Sequence, residues 1–124
     1  MTAIMTKSLE DYLEKIYMLI TETSRARVRD VAEGLHVTMP SVNKAVSELK
    51  KLGLVRQEPY GDLELTSEGV KEAAEILGRH TLLRRFLMKL GVSRDTAEED
   101  ACRMEHILSA ETYDRIRAFL GDEP

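Results

Sequence analysis

Apolar residues recur at helical spacing through most of the chain. Leu9, Leu13, Ile16 and Ile20 are separated by four, three and four positions, which predicts an amphipathic helix over about residues 8–21, ended by the polar run Glu22-Thr23-Ser24. A short helix is predicted over about 28–34, with Val31, Ala32 and Leu35 apolar and Gly34 as its C-terminal cap. After the turn His36-Val37-Thr38, Thr38 is suited to cap a helix running through Pro40 to Leu52, with Val42, Ala45, Val46, Leu49 and Leu52 facing inward and Gly53 ending it. The period then changes to two. Leu54-Val55-Arg56 and Leu63-Glu64-Leu65-Thr66 flank the turn Glu58-Pro59-Tyr60-Gly61-Asp62, the pattern of a small β-hairpin. A long helix follows over about 67–90, carrying Val70, Ala73, Leu77, Leu83, Leu87 and Leu90 and stopped by Gly91. Ser93 caps a further helix predicted over 94–108, and a last one covers about 110–120.

Two helices joined by a short turn and followed by a hairpin are the parts of a winged helix-turn-helix, a DNA-binding arrangement. The expected fold is therefore mostly α: a winged helix-turn-helix DNA-binding domain over residues 1–70, then an all-helical domain over 71–124.

Composition narrows this further. At 124 residues and 14.1 kDa, with 5% aromatics and no Trp, the chain has room for small aliphatic cores and none for a large multidomain enzyme. No apolar run approaches the ~18 residues of a membrane span, and residues 1–7 lack a secretory signal, so a soluble cytoplasmic protein without a membrane partner is expected. A single cysteine, Cys102, excludes an intrachain disulfide framework. The net charge is −4, but its distribution is uneven. Arg25, Arg27, Arg29, Lys44, Lys50 and Lys51 outnumber Asp30, Glu33 and Glu48 over residues 25–51, a local +3, whereas residues 67–124 carry −3.

Side chains near the start of the expected recognition helix are small, polar or basic. Asn43 and Lys44 have the reach for base edges, and Thr38, Ser41 and Arg27 suit phosphates. Tyr60, at the wing tip, is placed to approach the DNA backbone or minor groove, although a Pro- and Gly-containing turn needs no functional explanation. In the expected 94–108 helix, Cys102, Glu105 and His106 fall within an arc of about 100°, a thiolate, a carboxylate and an imidazole pointing one way. Mixed S, O and N donors at this spacing suit a transition metal; the competing reading is a core cysteine beside a solvated Glu and His. His80 lies in an apolar stripe, where a histidine bonded to a backbone carbonyl is commoner than a ligand, and Asp11 and Glu14 read alone as a solvated face. With no separate substrate pocket or glycine-rich loop indicated, an enzyme is not expected.

The chain resembles the metal-dependent transcriptional repressors of the DtxR/MntR type over nearly its whole length. The resemblance rests on Glu10–Tyr17, on Val31–Leu35 with Pro40-Ser41-Val42, on Leu65–Gly69, and most specifically on Asp100–His106 with Leu108-Ser109. It implies a homodimer on a palindromic operator in double-stranded DNA, contacted in part through Pro40, with a divalent metal as corepressor joining the first helix to the dimerisation domain. The manganese branch implies Asp11, Glu14, His80, Glu105 and His106 as ligands, and the iron branch Cys102, Glu105 and His106, so this sequence is a hybrid. Hard oxygen donors favour Mn²⁺ or Fe²⁺, and a thiolate with imidazoles favours Zn²⁺ or Co²⁺; Mn²⁺ is the expected cofactor, ahead of Fe²⁺ and Zn²⁺. The iron branch's second site would use His80 with positions 84 and 98, here Arg84 and Glu98; arginine cannot bind a cation, so an Arg84–Glu98 ion pair is expected instead. With Pro124 last, the SH3-like third domain of longer members is not expected. The implied role is repression in metal-ion homeostasis; the alternative is a metal-independent winged-helix regulator answering an organic ligand or redox state.

Overall fold

The computed structural model describes residues 5–59 and 61–121. Tyr60, the expected wing-tip contact, lies outside them. In chain order the elements are α1 (Lys7–Thr23), α2 (Val28–Leu35), α3 (Met39–Lys51), β1 (Val55–Gln57), β2 (Leu63–Leu65), α4 (Ser67–Lys89), α5 (Arg94–Met104) and α6 (Ala110–Leu120). This is a winged helix-turn-helix followed by an all-helical region. The chain divides into two compact units, the first ending at Ala74 and the second beginning at Glu75. Among the described residues, no helix is long and apolar enough to cross a membrane.

In the first unit, α1 opens on Thr6, whose hydroxyl accepts the Leu9 N–H at 3.1 Å, and it buries Leu9, Tyr12, Leu13 and Ile16. Helices α1, α2 and α3 pack on one another, α2 contributing Val31 and Ala32 and α3 contributing Val42, Ala45, Val46 and Leu49 to the core. Thr38 caps α3 as expected, accepting the Ser41 N–H at 3.2 Å, and Pro40 sits in the first turn, where its missing N–H costs nothing. The expected cap of α2 is corrected. Gly34 lies inside that helix, and His36, two residues later, takes the left-handed conformation (φ 57°) that ends it. Leu52, expected to face inward, is only half-buried at the C-cap of α3.

The wing is an antiparallel pair with Val55 opposite Leu65, Arg56 opposite Glu64 and Gln57 opposite Leu63. The segment before α2 joins it: Ala26 bridges Leu63, whose N–H donates to the Ala26 carbonyl at 2.8 Å. Beside that bridge the Arg25 guanidinium holds Asp62 through two hydrogen bonds, 2.9 Å from Nε and 3.0 Å from Nη2.

The second unit has its own core of Leu82, Leu83, Ala101, Tyr113, Ile116 and Leu120, with Phe86, Met104 and Leu108 packed against it. Two expected apolar positions of α4 are not core: Val70 is 43% exposed and Leu90 61%, while Ile76 and Leu82 are buried in the stripe instead. Ser93 stands at the N-cap of α5, but its side chain makes no capping hydrogen bond. Helix α5 also ends at Met104 rather than near residue 108. The Ile107 N–H turns back to the Met104 carbonyl at 3.1 Å, a tighter spacing, before Ser109 caps α6 by accepting from Thr112 N–H. This places Glu105 and His106 in the turn after α5 rather than on a regular helix face.

Two glycines test this packing. A Cβ on Gly69, in the first turn of α4, would fall on the Leu54 carbonyl oxygen, which already accepts the Thr66 N–H at 3.1 Å. Backbone cannot yield there, so Gly69→Ala is expected to destabilise by about 1–3 kcal/mol. A Cβ on Gly34 would meet only the flexible end of Lys15, so Gly34→Ala is expected to be neutral or to gain up to ~1 kcal/mol from helix propensity. Thermal unfolding followed by circular dichroism separates the two; equal midpoints would contradict the packing described.

Candidate metal centre and nucleic-acid face

Helix α4 carries His80 within the second unit, and the end of α5 with its following turn carries Cys102, Glu105 and His106. Among the described residues, Glu105 is the one charged residue classed as buried, and its side chain has no exposed surface. Neither of its carboxylate oxygens makes a hydrogen bond. What faces it is imidazole: His80 Nδ1 and His106 Nε2 each lie 3.6 Å from Glu105 Oε1. Removing a carboxylate from water costs several kcal/mol unless positive charge compensates it.

His80 supplies some of that charge. The Glu105 carboxylate raises it most, burial opposes the rise and Glu98 adds to it, so that its pKa stands at about 9. At 3.6 Å the Glu105 influence is charge attraction rather than a formed hydrogen bond. On the other side of the ring, His80 Nε2 lies 2.8 Å from Glu98 Oε2, and Arg84 Nη1 donates to Glu98 Oε1 at 2.5 Å. The Arg84–Glu98 ion pair expected from the sequence is therefore formed, and the two cationic partners, Arg84 first and His80 second, hold Glu98 below the usual carboxylate range. The contact of Glu98 with His80 is not among the sequence expectations, because it depends on how α5 lies along α4. His80 and Arg84 are four residues apart on one helix, so a carboxylate that reaches one is near the other.

Two imidazoles and a buried carboxylate with free lone pairs are donors that fit a divalent transition metal. As they stand the side chains are not gathered into a coordination shell: among the described residues, no group of three or more His, Cys, Asp or Glu is arranged to hold a metal ion. Donors sharing a cation with bonds of about 2.1 Å are roughly 3.0 Å apart in an octahedral shell and about 3.4 Å in a tetrahedral one, and the separations here are 3.6 Å. Cys102 is half-buried in the last turn of α5. In the first unit, Asp11 and Glu14 are half-buried on α1, and Asp11 takes the Lys7 ammonium at 3.2 Å.

The side chains expected to meet nucleic acid lie mostly at the start of α3. Thr38, Pro40, Ser41, Asn43 and Lys44 are all exposed. Thr38 and Ser41 are also bonded to each other at 2.9 Å, so their hydroxyls are already oriented by the cap. Arg27 is half-buried, with Nε on Asp30 at 3.0 Å, which leaves it a less available cation than the sequence suggests.

Comparison with known proteins agrees with both units. Residues 4–63 match the model described as iron dependent repressor, N-terminal DNA binding domain, and residues 66–123 match iron dependent repressor, metal binding and dimerisation domain. The chain is 45% identical over 111 residues to the HTH-type transcriptional regulator MntR of Bacillus subtilis, covering 90% of this chain and 78% of that one. It is 39% identical over 118 residues to an uncharacterized HTH-type transcriptional regulator of Methanocaldococcus jannaschii, covering 94% of each. A manganese-dependent transcriptional repressor solved in complex with manganese is 30% identical with a TM-score of 0.82, over 93% of this chain; the present chain spans about half of that protein, 53%. The chain therefore belongs to the iron-dependent repressor family of metal-dependent, DNA-binding transcriptional regulators.

Proposed function

We propose that this protein is a manganese-responsive transcriptional repressor of metal-ion homeostasis, acting in the cytoplasm as a homodimer on a palindromic operator. In this reading residues 1–70 form the DNA-binding domain and 71–124 the metal-binding and dimerisation domain. The observation that carries it is Glu105, sealed from water with both oxygens unbonded and flanked by His80 and His106. These three are the core of the ligand set, and Asp11, Glu14 and Cys102 are the further donors the family resemblance implies. The carboxylates are hard donors and favour Mn²⁺, with Fe²⁺ next, while the Cys102 thiol keeps Zn²⁺ as a competitor.

When bound, the metal supplies charge compensation for Glu105 and a coupling free energy: a cation that binds the DNA-competent state more tightly must raise DNA affinity by the same factor. On DNA, Asn43 and Lys44 reach base edges, and Thr38, Pro40, Ser41 and Arg27 set the position of α3 on the backbone. Tyr60 is assigned to the wing contact from the sequence alone.

Three outcomes test the reading. Fluorescence anisotropy with an operator selected from randomised duplexes is expected to show binding tightened by Mn²⁺ at fixed salt, and Glu105→Ala or His106→Ala is expected to abolish that response. Equal binding with and without every metal would favour a metal-independent winged-helix regulator. Asn43→Ala is expected to weaken operator binding by about 1–3 kcal/mol and to relax selectivity at one base pair, which a panel of single-substituted operators reads out. The third concerns pH. Because the His80 pKa is raised from 6.5 to about 9, its contribution to folding is fully present below pH 6.5 and is lost as pH rises through about 9. The proton that stabilises the chelated protein also competes with a cation, so over this window the melting temperature of the metal-free protein is expected to fall while Mn²⁺ affinity rises. His80→Gln should flatten both trends.

A further inference from the structure

The second unit holds a chain of contacts that ends on the Glu105 site. Arg84 Nη1 donates to Glu98 Oε1 at 2.5 Å, and Glu98 Oε2 lies 2.8 Å from His80 Nε2. The opposite ring nitrogen, His80 Nδ1, is buried, makes no hydrogen bond and stands 3.6 Å from the unbonded Glu105 Oε1. We propose that Glu98, held by Arg84, is the positioning residue for His80: it keeps a proton on Nε2 and turns Nδ1 toward the Glu105 site, so that Nδ1 is the nitrogen that gives up its proton to the divalent cation. The inference rests on the reading that His80 is a metal ligand.

The geometry explains why this takes two residues. A neutral imidazole can carry its proton on either nitrogen, and only the one without it can bind a metal. A carboxylate accepts and cannot donate, so at 2.8 Å it fixes Nε2 as the protonated nitrogen. Glu98 is itself 40% exposed on its side chain, and an exposed carboxylate on a long stem would divide its time among several rotamers. The Arg84 guanidinium takes the other oxygen and removes that freedom. His80 and Arg84 project from adjacent turns of α4 and Glu98 reaches across from α5, so the clamp spans two helices of the one unit. The arrangement also accounts for an arginine at position 84: it cannot bind a cation, but it can orient the carboxylate that orients a ligand.

The test compares the full-length wild type with Glu98→Ala, Glu98→Gln, Arg84→Ala and His80→Ala. Mn²⁺ affinity is read by competition with a fluorescent chelator, and the state of each ring nitrogen by ¹⁵N-resolved NMR of the Zn²⁺-loaded protein. Removing an outer partner of a metal-bound histidine is expected to weaken Mn²⁺ binding by about 10- to 100-fold in Glu98→Ala. Glu98→Gln, whose amide oxygen still accepts from Nε2–H, is expected to recover most of that loss, and Arg84→Ala to fall between them. In the wild type His80 should show a protonated, slowly exchanging Nε2 and a metal-bound Nδ1; in Glu98→Ala the Nε2 proton should lose its protection. A merely structural role for Glu98 would move the melting temperature without moving the nitrogen signals. Wild-type Mn²⁺ affinity and an unchanged His80 spectrum in Glu98→Ala, alongside weakened binding in His80→Ala, would overturn the inference alone. Wild-type Mn²⁺ affinity in His80→Ala, or no Mn²⁺ binding by the wild type, would overturn the ligand assignment and the inference with it.

Discussion

A carboxylate with no exposed surface must be answered by positive charge from within the protein, and in the second unit that demand falls on Glu105. Two imidazoles, of His80 and His106, stand 3.6 Å from it, close enough for charge attraction and too far for a hydrogen bond. The surrounding architecture follows from this. Helix α4 brings His80 to one side, the turn after α5 brings His106 to another, and the aliphatic core around Leu83 and Ala101 supports both helices. Replacing Glu105 by an apolar residue would relieve the burial cost and leave the two imidazoles without the carboxylate they face.

The DNA-binding unit solves a different problem, which is to present polar side chains on a rigid support. Its three helices bury a continuous set of aliphatic residues, so that α3 is fixed by Val42, Ala45, Val46 and Leu49 while Asn43 and Lys44 remain on the opposite face. The Thr38–Ser41 hydrogen bond ties the first turn of α3, and Pro40 limits its backbone. The first turn of α3 is therefore ordered with part of its conformational entropy already spent.

Much of this was legible in the sequence because it rests on local rules. The stripe Leu9-Leu13-Ile16, the cap at Thr38 and the change of period at Leu54 each specify an element without reference to the rest of the chain. The misses have physical causes. Gly34 looked like a helix cap because glycine tolerates a left-handed backbone, but a histidine two residues later adopts that conformation instead. The sequence predicts helix α5 to about residue 108, since nothing at Glu105 or His106 disfavours a helix; the tightening that ends it at Met104 belongs to the join with α6. At the site, the family resemblance supplied His80, whose neighbours alone suggested a core histidine. The Arg84–Glu98 pair was anticipated, whereas the bond from Glu98 to His80 depends on how α5 lies along α4, which spacing within one helix cannot report.

The wing is tethered to the segment before α2 in two ways that respond differently to the medium. The Ala26–Leu63 backbone bridge is a neutral hydrogen bond, indifferent to dissolved ions, whereas Arg25 and Asp62 are more than half and about one-third exposed, at 56% and 35%. An exposed ion pair is weakened as the screening length shrinks from roughly 10 Å at 0.1 M salt to about 3 Å at 1 M. Rising ionic strength therefore acts on this side of the protein twice. It weakens attraction to phosphate, and it slackens one of the ties between the wing and the segment before α2.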